Sequence, residues 1–598
     1  MVAHAPIPFA RRTAHAVALA ALLAAAPGLS APALAAPDET RLAALDGRAG
    51  LDAGPLPAAS APAEERVPSP LDAMPTYPVP ADAPQASPPR TGSLGPIALP
   101  PTIGAEALVG PMLIGRLGAI EGDLGLEYGA DDVAGLRAFY AARAHAPAWI
   151  APAADGLGWS EAALALAHVL AAAGDEGLDP AAYPLPPLPA GPAFDPAAAA
   201  QADIAFSAVL VRYAQDARGG RLEPTRLHEL ITPTLDIPGA EAILSGLADA
   251  ADPAVALADH NPPHEGYRRL RTALAELRAA ETAPEPMVAV PPGPVLRPGA
   301  RDARVPLLRA RFGMEAPQAE AEARVYDVAL AGAVEDFQRE HGLVVDGIVG
   351  NQTIAALASV DPARREGDLL ANMERWRWLP RDLGEKAIFV NVPGYRLEVL
   401  DGGAIVHETR VVVGKPGQET PIFSDEMEYV VVSPTWTIPP SIMRNEILPG
   451  LRADPNYAAA RGYEVIRNGS TITVRQPPGP RNALGHIKFM FPNGHHVYLH
   501  DTPSRGLFDT IRRAYSHGCV RVENPFALAD LLLAEQGWPE ARLRALVGPR
   551  ERYVHLDEHV PVHLAYFTLE VEDDGRIVPH EDIYGFDRLT REALGLDP

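Results

Sequence analysis

Ala387-Ile388-Phe389-Val390-Asn391-Val392, then Pro393-Gly394, then Tyr395-Arg396-Leu397-Glu398-Val399-Leu400, then Asp401-Gly402-Gly403 is the stretch that decides the fold of the C-terminal part of the chain. Two runs rich in β-branched and aromatic residues, each closed by turn formers, predict two strands joined by tight turns. The same pattern returns at 408–413 and 429–432. An antiparallel, β-rich domain is therefore expected over 368–598. A polar, proline-bearing segment at 439–481 interrupts it, and an insertion of that length beside a site is expected to act as a lid.

Toward the N-terminus the periodicity changes. Behind a proline-rich joint at 284–298, a compact unit over 295–360 has helical patterns near 305–312 and 331–341, an Asp346-Gly347 turn and a third helix from Thr353. Residues 105–283 read as an all-α domain. Ser160 can cap a helix whose Ala163, Leu166, Ala167 and Leu170 share one face and which Gly174 closes. Similar stripes run through Leu136, Phe139 and Tyr140, and through Ile204, Ala208, Val211 and Tyr213. Asp216, Arg218 and Arg221 read as a solvated helix end rather than as chemistry. Residues 36–104 form a Pro/Ala-rich spacer, with 14 prolines between 55 and 101 that oppose a packed core. Residues 1–35 carry Arg11-Arg12, an apolar run over 14–26 and Ala33-Leu34-Ala35, the three regions of a secretory signal peptide, with cleavage expected after Ala35.

The fold class is thus multidomain α+β, as 598 residues allow. Lys+Arg 51 against Asp+Glu 76 gives 51 − 76 = −25, which argues against a nucleic-acid partner. Cys519 is the single cysteine, so no intramolecular disulfide can form and the thiol is free for other work.

Two segments carry the chemistry: His495-His496-Val497-Tyr498-Leu499-His500-Asp501-Thr502-Pro503, and Ser516-His517-Gly518-Cys519-Val520-Arg521-Val522-Glu523-Asn524. Alternation puts His496, Tyr498 and His500 on one face of a strand. Asn524-Pro525 is expected to cap and start a helix with Leu528, Leu531 and Leu532 on its apolar face, placing Cys519 just before it. A nucleophilic thiol needs a base or a positive field, for which His500 and Arg521 are candidates. Amides at Gly518 and Cys519 are candidates for an oxyanion site. Acyl transfer fits these parts. A metal site among His486, His495, His496, His500 and His517 is disfavoured, because His496 and His500 on one strand lie about 13 Å apart. No metal or other cofactor is expected.

His500, then fifteen residues, then Ser516-His517-Gly518-Cys519-Val520-Arg521 resembles the signature of the YkuD-type L,D-transpeptidases. Asn482-Ala-Leu-Gly485, Ile487-Lys488-Phe489, Phe491-Pro492-Asn493 and Leu507-Phe508 resemble the large YcbB-like branch of that family. Ala333, Val334, Phe337, Gln338, Gly342, Leu343, Asp346, Gly347, Gly350 and Thr353 match the motif of a small peptidoglycan-binding module.

The resemblance implies Cys519 as nucleophile, His500 as its base, and His517 and Gly518 as residues shaping the site. It implies Arg521, Tyr498, Trp436 and Ser516 as substrate-binding. Many family members have Asn at the position of Arg521, whereas the YcbB-like branch has Arg. The implied activity is 3→3 cross-linking of peptidoglycan stem peptides through a cysteine acyl-enzyme, in the periplasm, either soluble or anchored to the inner membrane by the N-terminal segment, with cell-wall synthases as candidate partners. L,D-carboxypeptidase activity, lipoprotein attachment and an inactive wall-binding scaffold are the alternatives.

Overall fold

The computed structural model describes residues 105–119, 129–153, 156–187, 195–280, 288–341, 343–359, 362–454, 456–469 and 471–596. The expected signal peptide and spacer lie outside the described residues.

The β-branched runs form nine strands of one sheet: β1 (Lys386–Asn391), β2 (Arg396–Asp401), β3 (Ala404–Gly414), β4 (Phe423–Val432), β5 (Ile487–Met490), β6 (Leu499–His500), β7 (Ala514–Ser516), β8 (Val520–Val522) and β9 (Arg552–Ala565). Their order is β7-β3-β8-β6-β5-β4-β9-β1-β2, and a further pairing of β2 with β3 closes eight of them into a barrel with β7 appended. Closure removes the exposed edges that an open sheet would present. Ile388, Val390, Leu397, Val399, Val411, Val413, Val430, Val432, Leu499, Val520 and Val522 fill the buried core.

The expected antiparallel sheet is in fact mixed. β6 with β8, β7 with β3, and β9 with β1 run parallel. The last of these pairings is hidden in the sequence because the pattern of β9 is broken by Asp557-Glu558-His559 and Pro561. β9 pairs with β4 on one side, through a register shift between His555 and Val560, and with β1 on the other.

The N-terminal region is helical, with Ser160 accepting a hydrogen bond from the Ala163 amide at the start of the helix Glu161–Ala171. Two expectations need correcting. A hairpin, Ile150–Ala153 with Gly156–Trp159, interrupts the all-α reading. The left-handed stop belongs to Gly177, after the short helix Ala173–Glu176, rather than to Gly174. The long helix Pro196–Gly219 is buried along most of its length and carries Asp203, whose carboxylate accepts from the Tyr140 hydroxyl and the Ala148 and Trp149 amides.

The helix Pro362–Trp376 runs through the expected boundary at 368 and ties the helical region to the barrel. Glu374, fully buried, accepts hydrogen bonds from the Arg221 and Leu222 amides and faces Arg221 and Arg377. Arg221 is thus an interdomain contact, not a solvated end, and Asp216 likewise accepts from the Tyr183 hydroxyl. Gly220, at φ +84°, leaves room for the Glu374 carboxylate, which a Cβ would meet at 2.6 Å. Ile231 then bridges to Ile422 just before β4, so a loop of the helical region packs into the barrel core before the chain returns to helices.

Between these bodies the helices Val305–Arg311, Val328–Glu340 and Asn351–Ser359 pack around Leu308, Leu330, Val334, Phe337 and Leu357. Gln338 accepts from the Asp346 and Gly347 amides and so fixes the turn.

The insertion is a small folded body rather than an extended loop. A sheet of Trp436–Thr437, Thr471–Gln476 and Glu464–Asn468 is joined by the π-helical turn Met443–Ile447 and short helices. Its buried apolar core is Ile438, Ile442, Ile447 and Val474.

Candidate active site

Two adjacent strands bring the expected residues together. In the parallel pairing of β6 with β8, Leu499 lies opposite Val520 and His500 opposite Arg521. Side chains alternate, so Tyr498 and His500 share a face with Cys519 and Arg521, while Leu499 and Val520 point into the core. On the other side of β6, Lys488 of β5 lies opposite His500. Lys488, His500 and Arg521 therefore form one row across three strands.

The strand expected through His496 is reduced to Leu499–His500. Asn493 causes this: its side chain donates to the Phe491 and Val497 carbonyls and accepts from the His495 and Val497 amides, and His496 takes φ +58°. His495 points elsewhere, bonding Thr232 across 2.7 Å.

His500 is 4% exposed, and its Nδ1–H donates to the Asp501 carbonyl at 2.5 Å. That bond fixes the tautomer and leaves Nε2 as the basic nitrogen. Asp501 is itself held, accepting from the His486 and Thr502 amides and the Arg505 guanidinium. Gly485, at φ +60°, is required here, because a Cβ would lie 2.3 Å from the Asp501 carboxyl. Burial, with help from Arg521, pushes the imidazole down to about 3, so it is neutral at physiological pH.

Cys519 is half-buried and stands before strand β8, not before a helix. The helix Pro525–Leu533 starts only after it, and Asn524 enters at φ +53° without a side-chain cap. The N-terminus of that helix is therefore separated from Cys519 by the strand β8. Burial pushes the thiol up to about 11, against the opposing pull of the Tyr498 N–H and hydroxyl, then Arg521 and Lys488. Among the described residues no hydrogen bond joins His500 to Cys519, and the resting pair is neutral thiol beside neutral imidazole.

The turn carrying Cys519 is braced from below. Ser516, 2% exposed, donates its hydroxyl to the Cys519 carbonyl and accepts from the Gly518 amide. Ser516 is thus turned inward, where it holds the turn, and the Gly518 amide is engaged by the Ser516 hydroxyl. The Cys519 amide, free of partners among the described residues, is the remaining backbone donor. Gly518 has φ +109°, and Thr420, which sequence reasoning missed, donates to its carbonyl.

The insertion closes over this site. The Trp436 indole N–H faces the Tyr498 hydroxyl, which in turn faces the sulfur. His517, expected to shape the site, bonds Glu446 of the π-helical turn across 2.7 Å. Asn482 holds both necks of the insertion, donating to the Pro434, Gln476 and Pro477 carbonyls. Glu446 and Lys488 carried no individual signal in the sequence, though Lys488 sits in a stretch quoted above.

Comparison with known proteins agrees with this organisation. Residues 385–547 match the family model described as the L,D-transpeptidase catalytic domain, 134–274 a scaffold domain and 310–357 a "Putative peptidoglycan binding domain". A protein of Haemophilus influenzae named "Putative L,D-transpeptidase" is 37% identical over 264 residues, which is 40% of this chain and 53% of that protein. The chain thus spans about half the length of the curated relative it matches. Among solved structures, an L,D-transpeptidase from Mycobacterium smegmatis is 14% identical over 30% of this chain and 58% of its own, at a TM-score of 0.17. One from Xylanimonas cellulosilytica is 18% identical over 46% of this chain and 99% of its own, at 0.16. At those scores the likeness carries no argument.

Proposed function

From a chain that carries an L,D-transpeptidase catalytic domain behind a scaffold domain and a peptidoglycan-binding domain, we propose an exported, periplasmic enzyme that joins peptidoglycan stem peptides by 3→3 cross-links through a Cys519 acyl-enzyme. The observation that carries this reading is the register of β6 and β8, which sets Tyr498 and His500 beside Cys519 and Arg521 on one face.

The neutral resting pair decides how the first step runs. A thiol near 11 beside an imidazole near 3 does not transfer its proton spontaneously. The proton passes to His500 Nε2 as sulfur bonds to the carbonyl carbon of the third stem residue. Negative charge grows on the carbonyl oxygen, where the Cys519 amide is the available backbone donor. The carbon–nitrogen bond to the terminal D-alanine then breaks, and the leaving amine takes the proton from His500. This leaves a thioester. An amine of a second stem attacks it, loses its proton to His500, and the thiolate departs and is reprotonated. Arg521, which has no acidic partner among the described residues, binds the terminal carboxylate of the donor.

The test is D-alanine release from a tetrapeptide stem, with the cross-linked dimer identified by mass. Acylation by a carbapenem, seen as a mass increase and absent in Cys519→Ala, checks the nucleophile independently. Undiminished D-alanine release by Cys519→Ala would refute the proposal.

A further inference from the structure

Charged side chains that leave bulk water normally do so with a partner, because desolvating an unpaired ion is costly. The row Lys488–His500–Arg521 breaks this rule at both ends. Lys488 is only partly exposed, and burial depresses its ammonium. It has no salt bridge or hydrogen bond among the described residues; its ammonium sits over the Tyr498 ring, 5.6 Å from the centroid, a cation–π contact that supplies no anionic counter-charge. Glu551 is felt only at a distance and is engaged elsewhere, accepting from the Thr435 amide and the Tyr553 hydroxyl. Arg521 likewise has no carboxylate partner, and its Nε is buried without a hydrogen bond.

Two cations thus flank one imidazole on a single face, two strand spacings apart, or about 9–10 Å between Cα atoms. The thiol is neutral at rest and supplies no counter-charge. What completes the site electrostatically is a ligand with two anionic groups, one on each side of the bond that Cys519 attacks.

We infer that Lys488 is a substrate-binding residue that, with Arg521, forms a two-point clamp selecting donor stems with two free carboxylates. This rests on the reading of Arg521 given above. Arg521 takes the terminal carboxylate of the leaving residue, and Lys488 takes a carboxylate on the side chain of the third residue, whose backbone carbonyl is attacked. A donor whose third residue ends in a carboxamide leaves the partly desolvated Lys488 ammonium without an anionic partner.

The experiment is binding without turnover, so that it does not depend on the acyl-transfer chemistry. The full chain carrying Cys519→Ala is titrated calorimetrically with two tetrapeptide stems, identical except for a free carboxylate or a carboxamide on the third side chain. The free acid is expected to bind about ten- to a hundredfold more tightly, the range of one charge-assisted hydrogen bond. Adding Lys488→Met should erase this preference, and Lys488→Arg should keep most of it. Should Lys488→Met not fold, Lys488→Gln provides the neutral form.

A neutral variant that keeps the full preference for the free acid overturns the inference. So does a neutral variant that leaves binding whole and only slows alkylation of the intact thiol, since Lys488 would then serve the sulfur alone. Absence of D-alanine release by the wild type on both stems would instead count against the proposed reaction.

Discussion

The thiol is approached from two bodies built in opposite ways. From the barrel come His500, Tyr498 and Arg521, on strands whose alternate residues Leu499, Val520 and Val522 are buried in a core spanning the whole sheet. From the insertion come Trp436 and Glu446, on a two-residue strand and a single π-helical turn above a core of four buried residues. Resistance to local opening rises with buried apolar contact. The difference teaches a division of labour: the barrel fixes the reacting groups relative to one another, and the insertion meets them through Trp436 at Tyr498 and Glu446 at His517. Asn482, holding both necks at once, is where any motion of the insertion would pivot.

The sharpest way to break this comparison is to remove chemistry from the barrel side. Cys519→Ala should abolish D-alanine release while the circular dichroism spectrum is retained, because only the sulfur supplies the covalent step. His500→Ala should lower the acylation rate by roughly 10²–10⁴-fold, the range for a general base. His517→Ala should cost less, since His517 bonds the insertion and not the sulfur. If His517→Ala proved the more damaging of the two, the roles assigned to the two bodies would have to be exchanged.

What the sequence made legible follows the same division. The strands were readable wherever alternation is clean, as in β1 and β2, and the cysteine motif was readable because its spacing is local. The strand β9 was not, because its charges fall where the register shifts. Nor was the inward turn of Ser516, since a buried serine and a substrate-binding one look alike in sequence. Long-range partners such as Glu446 for His517, or Glu374 for the Arg221 amide, are 71 and 153 residues away and leave no local pattern.

Next in size is the effect of removing the insertion. Replacing 451–477 by a short Gly/Ser linker takes away the strand that pairs with Trp436 and the buried Val474. Donor turnover should fall about ten- to a hundredfold as positioning is lost, on the scale of misplaced substrate groups. Alkylation of the thiol by iodoacetamide should persist. Equal loss of both would mean that the insertion supports the barrel, and no loss of either would leave it as surface decoration.

The electrostatics of the barrel side give a smaller, graded effect. With the thiol pushed up to about 11, the reactive thiolate is a minor form at neutrality. Its alkylation rate should therefore climb about tenfold per pH unit from 7 to 9, without a plateau. A plateau near pH 7 would mean that the resting site holds a thiolate–imidazolium pair. Stability should likewise rise with pH on the acid side. The folded imidazole near 3 lies below its ordinary 6.5, so the unfolded chain binds the extra proton between these values, and stability falls as pH drops through that window.

The smallest expected effect tests the seam between the two bodies. The His517–Glu446 contact joins a 28% exposed side chain to a 46% exposed one, so solvent screens it. Such pairs contribute at most about 1 kcal/mol, or roughly fivefold in an equilibrium. Glu446→Ala should accordingly change donor KM by a few-fold, with kcat nearly unaltered, if the contact only biases the insertion toward its closed position. His517→Ala removes the other half of the same contact, and the double variant should then be no worse than the more damaging single one. Fully additive losses would mean that Glu446 and His517 act separately, and the insertion would be held over the thiol by Trp436 and its neighbours without this latch.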